Sequence, residues 1–139
     1  MKKPPWFNKK TDLGLCREMK QIIRQAGIST ICQQALCPNI SECFNHKTAA
    51  FMILGDTCTR DCRFCNVKKG DPCGLDSREP QKIIEAVSKL GLNYVVITSP
   101  SRDDLDDFGA GHFCLIVKEL KEMSSDINIE LLIPDFMAR

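Results

Sequence analysis

The sequence lacks a surplus of either charge. Nineteen Lys and Arg stand against 18 Asp and Glu, a formal net charge of +1 over 139 residues. A general nucleic-acid binder needs excess cations to displace counterions, so no nucleic-acid partner is expected. Long apolar runs are also missing. The longest, Ala49 to Leu54, is far short of the roughly 20 residues that cross a bilayer, so no membrane partner is expected. Histidine is scarce: His46 and His112 are the only two, and neither stands at a ligand spacing. Where an export signal needs an apolar stretch, the chain has Pro4, Pro5, Lys9 and Lys10. No short-period repeat and no low-complexity segment occurs. Apolar residues at 43% and charged residues at 27% exclude a disordered or fibrous chain, and the length suits one domain.

What the sequence does have is cysteine. There are nine, an odd number, so complete internal pairing is impossible, and seven fall between Cys32 and Cys73. With no export signal the expected location is the cytoplasm. There thiols stay reduced, and clustered cysteines bind metal more often than they form disulfides.

Hydrophobic periodicity divides the chain into a cysteine-rich extension, residues 1–48, and a βα-alternating part, residues 49–139. Pro4 and Pro5 forbid helix, so the Pro-Pro-Trp-Phe stretch between the terminal lysines is expected to be extended. Leu15, Met19, Ile22, Ile23 and Ala26 follow the helical period, and Gly27 stops it. Ala50 to Leu54 suits a doubly buried strand. Asp76 or Ser77 can cap a helix with the stripe Ile83, Ile84, Val87 and Leu90, which Gly91 ends. Tyr94 to Thr98 is the next strand. Phe113, Ile116, Val117 and Leu120 mark a helix, and Ile127, Ile129, Leu131 and Ile133 alternate as a third strand before Pro134.

The fold class is therefore α/β: three strands and two helices of a partial (β/α) barrel, preceded by a helical cysteine-rich extension. Two helices cover one face of such a sheet and leave the other bare. The expectation is that further barrel strands, or another chain, complete it.

Cys58, Cys62 and Cys65 have the spacing C-x3-C-x2-C directly after the first strand, on the face where βα-barrel sites form. Three thiolates hold three irons of a 4Fe–4S cluster and leave the fourth open to a non-protein ligand, whereas electron-transfer clusters use four cysteines. A zinc knuckle is the alternative. It accounts for Cys62 and Cys65 but leaves Cys58 at an awkward spacing. Cys32, Cys37 and Cys43, at C-x4-C-x5-C, form a second triad that by itself fits zinc or buried thiols equally. Cys16, Cys73 and Cys114 are read as non-ligands. Thr98, Ser99, Arg102, Asp103 and Asp104 follow the second strand, where cofactor contacts form, although a solvated acidic turn fits them as well.

The segments ICQQALCPNISECF (from Ile31), FMILGDTCTRDCRFCNV (from Phe51), YVVITSPSRDDL (from Tyr94) and LLIPDF (from Leu131), with the KKPPWF start at Lys2, resemble the front half of the lipoyl synthases. These are radical S-adenosylmethionine enzymes. The pair of cysteine triads is the specific part of the likeness.

The resemblance implies that Cys58, Cys62 and Cys65 bind a 4Fe–4S cluster that holds S-adenosylmethionine, with Phe64, Thr98, Ser99, Arg102 and Asp103 as cofactor contacts. Cys32, Cys37 and Cys43 would bind an auxiliary 4Fe–4S cluster that donates sulfur. The implied activity is sulfur insertion at C6 and C8 of a protein-bound octanoyl chain. The implied partners are octanoylated lipoyl carrier domains (E2 subunits of 2-oxoacid dehydrogenases and the glycine-cleavage H-protein) and a reduced ferredoxin or flavodoxin. An unactivated methylene offers no acid–base handle, so such chemistry belongs to the cofactor. Pro100 and Ser101, and residues Asp106 to Gly109, depart from the family's pattern. The family continues for about as many residues again and carries a C-terminal Arg-Ser-Ser motif that this sequence does not contain. The corresponding expectation is that residues 1–139 alone are inactive. A non-catalytic iron–sulfur or zinc-binding module is the alternative reading.

Overall fold

A computed structural model of the chain describes Pro4 and residues 13–138. Apart from Pro4, which is exposed, the expected extended stretch and its lysines lie outside the described residues.

Helix α1, Leu13–Ala26, buries Cys16, Met19 and Ile23, one face at helical spacing, and ends before Gly27. The segment of weak periodicity that follows holds a short strand and two short helices: β1 (Ser29–Thr30), α2 (Ile31–Gln34) and α3 (Ile40–Asn45). Thr30 caps α2 by accepting from the Gln33 N–H at 3.4 Å.

Strand β2 spans Thr48–Met52, two residues earlier than the apolar run suggested. Its pairing sets the frame: Phe51 stands opposite Ile97 of the next parallel strand, so the buried positions of these two coincide, while Leu131 of the last strand, opposite Ile97, stays 41% exposed at the sheet edge. Between β2 and β5 lie β3 (Thr57–Cys58), β4 (Lys68–Lys69) and α4 (Glu79–Leu90). Strand β5 is Tyr94–Thr98, as expected, followed by α5 (Ala110–Met123) and β6 (Asn128–Leu132).

The main sheet has the order β1-β2-β5-β6, antiparallel at β1 and parallel elsewhere, and β3 and β4 form a separate parallel pair. The three parallel strands and two helices of a partial barrel are present. The antiparallel edge strand and the β3–β4 pair are additions, too short to leave a periodic signal.

Neither Asp76 nor Ser77 is the N-cap of α4. Arg78 holds that position, because Pro80 fits only the first turn. Asp76 instead shapes the approach, its Oδ1 accepting from the Arg78 N–H at 2.9 Å. At the other end Gly91, at φ +59°, lets the Leu92 N–H reach back to the Val87 carbonyl.

One apolar core lies between the sheet and the layer α1-α4-α5. Phe51, Ile53, Val95 and Ile97 meet Ile83, Val87, Phe113, Ile116 and Leu120, and Met19, Ile23 and Phe44 of the extension belong to the same cluster. Each such side chain contributes about 1.5–3 kcal/mol by leaving water. The opposite face is covered unevenly: Met52 is buried, Ala50, Val96 and Thr98 are half-buried, and Leu132 of β6 is 50% exposed.

Candidate metal centre

All three parallel strands run the same way, so the chain leaves β2, β5 and β6 at one end of the sheet. The loop after β2 carries Cys58, Cys62 and Cys65; the loop after β5 carries residues 99–109; residues 133–138 follow β6.

The cysteine loop is tied down at its root. Leu54 adopts φ +66°, and side chains from other elements take both of its backbone groups. Its N–H donates to Glu79 Oε2 at 2.8 Å, and its carbonyl accepts from Arg102 Nη1 at 2.7 Å. Glu79 is held by His112 Nε2 at 2.7 Å. Arg102 is fully buried and also binds Asp104 and the Cys73 carbonyl.

Further along, the Thr59 N–H and hydroxyl both donate to the Ser101 carbonyl, at 3.1 and 3.0 Å. Arg60 grips Asp103 of the loop after β5 and Asp135 of the chain after β6. The guanidinium beside these two carboxylates holds both below the usual carboxylate range, and they push the arginine pKa up. The Gly70 N–H donates to the Cys58 carbonyl at 3.1 Å, pinning the loop where β4 meets β3.

All nine cysteines are free thiols. In the C-x3-C-x2-C triad Cys62 is exposed, and Cys58 and Cys65 are half-buried. The Arg60 N–H donates to Cys58 Sγ at 3.4 Å. Lys69, held by Asp61 at 2.5 Å, stands within electrostatic range of Cys62 and Cys65. Phe64 is 93% exposed, as a side chain awaiting a ligand or a covering segment would be. The donor set suits a soft metal: sulfur ligands without histidine, on a loop whose backbone is fixed. Among the described residues, no three His, Cys, Asp or Glu side chains converge as a metal cage. The loop therefore supplies three thiols in sequence order without closing them on a common point.

The second triad lies beside the first. Cys32 and Cys37 line one cavity of about 370 Å³ with Lys20, Gln33, Leu36 and Ile40, and Cys43 sits on α3 within electrostatic range of Cys32. Burial pushes the Cys32 thiol up, and the neighbouring thiols add to the rise. Asn66, next to Cys65, donates to the Gln34 carbonyl at 2.6 Å and so joins the two cysteine segments. Cys16 is buried in the apolar core, while Cys73 and Cys114 are exposed and belong to neither triad.

The expected S-adenosylmethionine contacts divide into two groups. Arg102 and Asp103 are already committed to the cysteine loop, Arg102 at Leu54 and Asp103 at Thr59 and Arg60. Thr98 donates to the Leu132 carbonyl. Ser99 keeps a buried hydroxyl with no hydrogen-bond partner, an unmet polar group at the strand exit that a ligand could satisfy.

The sequence pattern of the Radical SAM superfamily matches residues 52–139, a span that contains this anchored cysteine loop. The chain belongs to the radical SAM superfamily. Within that superfamily it is similar to the lipoyl synthase of Sulfolobus acidocaldarius, 58% identical over 87% of this chain and 42% of that protein. The lipoyl synthase of Aquifex aeolicus is 57% identical over 86% of this chain and 43% of its own length. That of Caldicellulosiruptor saccharolyticus is 49% identical over 97% and 48%. The chain thus spans rather less than half the length of these curated relatives.

For a radical SAM chain the residues that sequence reasoning missed are Arg60, Asn66, Glu79 and His112. Arg60 and Asn66 flank the motif cysteines, so their neighbourhood was legible but their partners were not. Nothing in the sequence links Glu79 and His112 to Leu54.

Proposed function

We propose that this chain carries the cluster-binding part of a lipoyl synthase, which inserts sulfur at C6 and C8 of an octanoyl group held on a lipoyl carrier domain. The observation that carries the proposal is the presence of two cysteine triads whose segments are joined through Asn66 and Gln34, in a chain 58% identical over 87% of its length to one lipoyl synthase.

In this reading residues 1–48 hold the auxiliary 4Fe–4S cluster through Cys32, Cys37 and Cys43. Residues 49–139 hold the S-adenosylmethionine cluster through Cys58, Cys62 and Cys65. When bound, the groups would supply reductive cleavage of S-adenosylmethionine, hydrogen-atom abstraction from an unactivated methylene, and sulfur for insertion. The chain's own residues bind and orient. Phe64, Thr98 and Ser99 are the proposed contacts to S-adenosylmethionine. Arg102 and Asp103 hold the loop that presents the thiols. The proposed partners are octanoylated E2 or H-protein domains and a reduced ferredoxin or flavodoxin, in the cytoplasm, where all nine thiols stay reduced.

Anaerobic reconstitution tests the proposal. Wild-type chain should turn brown, and Cys62→Ala should lose about four irons per chain, the content of one 4Fe–4S cluster, while the remaining iron stays on the other triad. A colourless wild-type preparation that binds zinc instead would establish the metal-binding-module alternative. Unchanged iron in Cys62→Ala would remove the assignment of the first triad.

A further inference from the structure

We infer that Arg60 is a positioning residue that sets the cysteine loop in register with the chain leaving β5 and β6, and so fixes where the cluster thiols stand relative to Thr98 and Ser99. The inference rests on the proposed role of Cys58, Cys62 and Cys65 as cluster ligands.

Arg60 lies between Cys58 and Cys62. Its Nε and Nη2 meet the two oxygens of Asp103 at 2.8 Å each, and its Nη1 and Nη2 meet those of Asp135 at 3.0 and 2.8 Å. Nη2 also contacts Met137 Sδ at 3.2 Å. Asp103 and Asp135 come from different strand exits, and two carboxylates side by side repel. A planar guanidinium satisfies both at once through paired donors, which a lysine ammonium, a point charge, does not.

The neighbouring backbone is fixed to the same place. Thr59 donates to the Ser101 carbonyl, and its hydroxyl accepts from the Asp103 N–H at 3.2 Å. With Leu54 held at the root and the Cys58 carbonyl bound by Gly70, the loop is pinned before, at and after Cys58. Arg60 is the only one of these anchors that reaches both later strand exits. A merely stabilising surface bridge would need neither the second carboxylate nor a place between two ligands.

The test uses the full 139-residue chain with Arg60→Met and Arg60→Lys. In the metal-free protein, amide exchange across residues 56–66 and 101–105 should accelerate at least tenfold in Arg60→Met, while the β2 and β5 core amides keep their wild-type protection. After anaerobic reconstitution and reduction, both variants should still load iron. The change that S-adenosylmethionine produces in the cluster's electron paramagnetic resonance spectrum should then need at least tenfold more ligand, and lysine should not restore it. Wild-type exchange in Arg60→Met, or a wild-type spectral response in either variant, overturns the inference. A wild-type chain that loads no iron sinks the cluster reading instead, and the exchange measurement still decides whether Arg60 positions the loop.

Discussion

Arg102 shows how a single residue can change meaning between sequence and fold. Beside Asp103 and Asp104 it reads as part of a solvated loop or as a cofactor contact. In the fold it is 2% exposed and bound to the Leu54 carbonyl, the Cys73 carbonyl and Asp104. A buried guanidinium needs every donor met and a counter-charge. Asp104→Asn keeps the shape but removes the charge. It should destabilise the chain by about 1–2 kcal/mol, at the lower end for a buried pair because Asp104 is itself partly solvated.

The pairing with Arg102 holds the Asp104 carboxyl below its ordinary range, and the Gly111 and Gly109 N–H groups do the same for Asp107. Depressed folded-state values mean that the stability is fully present above the ordinary carboxylate pKa and is lost as pH falls through the folded value. Urea midpoints should therefore hold from neutral pH down to about 4 and drop below it. Asp104→Asn should show a smaller drop than wild type; an equal drop would remove Asp104 from the account.

At the scale of elements, the decisive contact joins the start of α5 to the exit of β2. Gly109 sits at φ +90°, and a Cβ placed there would overlap Leu54 Cδ1. Glu79 at the start of α4 bonds both Leu54 and His112 of α5. Two helix starts therefore close on the residue from which the cysteine loop departs. Gly109→Ala adds backbone strain to overpacking and should cost about 2–4 kcal/mol in equilibrium unfolding, with iron uptake impaired at temperatures where the core still melts cooperatively. A substitution that costs under about 0.5 kcal/mol, within the range of an ordinary surface change, would mean that the β2 exit relaxes freely.

The elements also show where periodicity succeeded. Helices α1, α4 and α5 and strand β5 were legible because each is long enough to bury one face at a fixed period. The boundaries of β2 were less so. Ile53 and Leu54 are as buried as the strand itself, so the apolar run outlasts the strand pairing. The short elements β1, β3, β4, α2 and α3 span too few residues to form a pattern and exist because neighbours pair with or pack on them.

For the whole molecule, the unequal faces of the sheet matter most. Three helices pack on one face but leave Leu131 of β6 exposed there, while the other face offers Ala50, Val96 and Thr98 half-buried beside exposed Leu132, and Ile133 beyond the strand also meets solvent. Parallel sheets are normally covered on both faces, and an open strand edge templates association. The 139-residue chain by itself should therefore associate as its concentration rises, which light scattering would show. On the proposed function, residues 1–139 by themselves should cleave S-adenosylmethionine without coupling and yield no lipoyl product, because this half-buried face leaves a reactive species open to water. Mass spectrometry of an octanoylated carrier peptide after incubation with reconstituted chain, S-adenosylmethionine and dithionite checks this. A gain of two sulfurs would show that residues 1–139 are sufficient.

The sequence alone determined the chemistry available: two cysteine triads with distinctive spacings, a scarcity of histidine, and a βα rhythm that sends one triad out of the first parallel strand. Such features are local, since motif spacing and helical or strand period are written within a dozen residues. The tertiary structure alone decided how that chemistry is held. It brought Asp103 and Asp135 to Arg60, Glu79 and Arg102 to Leu54, and Gln34 to Asn66, contacts between residues 25 to 75 positions apart. Hydrogen bonds over such separations depend on strand register and helix packing, and no local pattern encodes which donor will meet which acceptor.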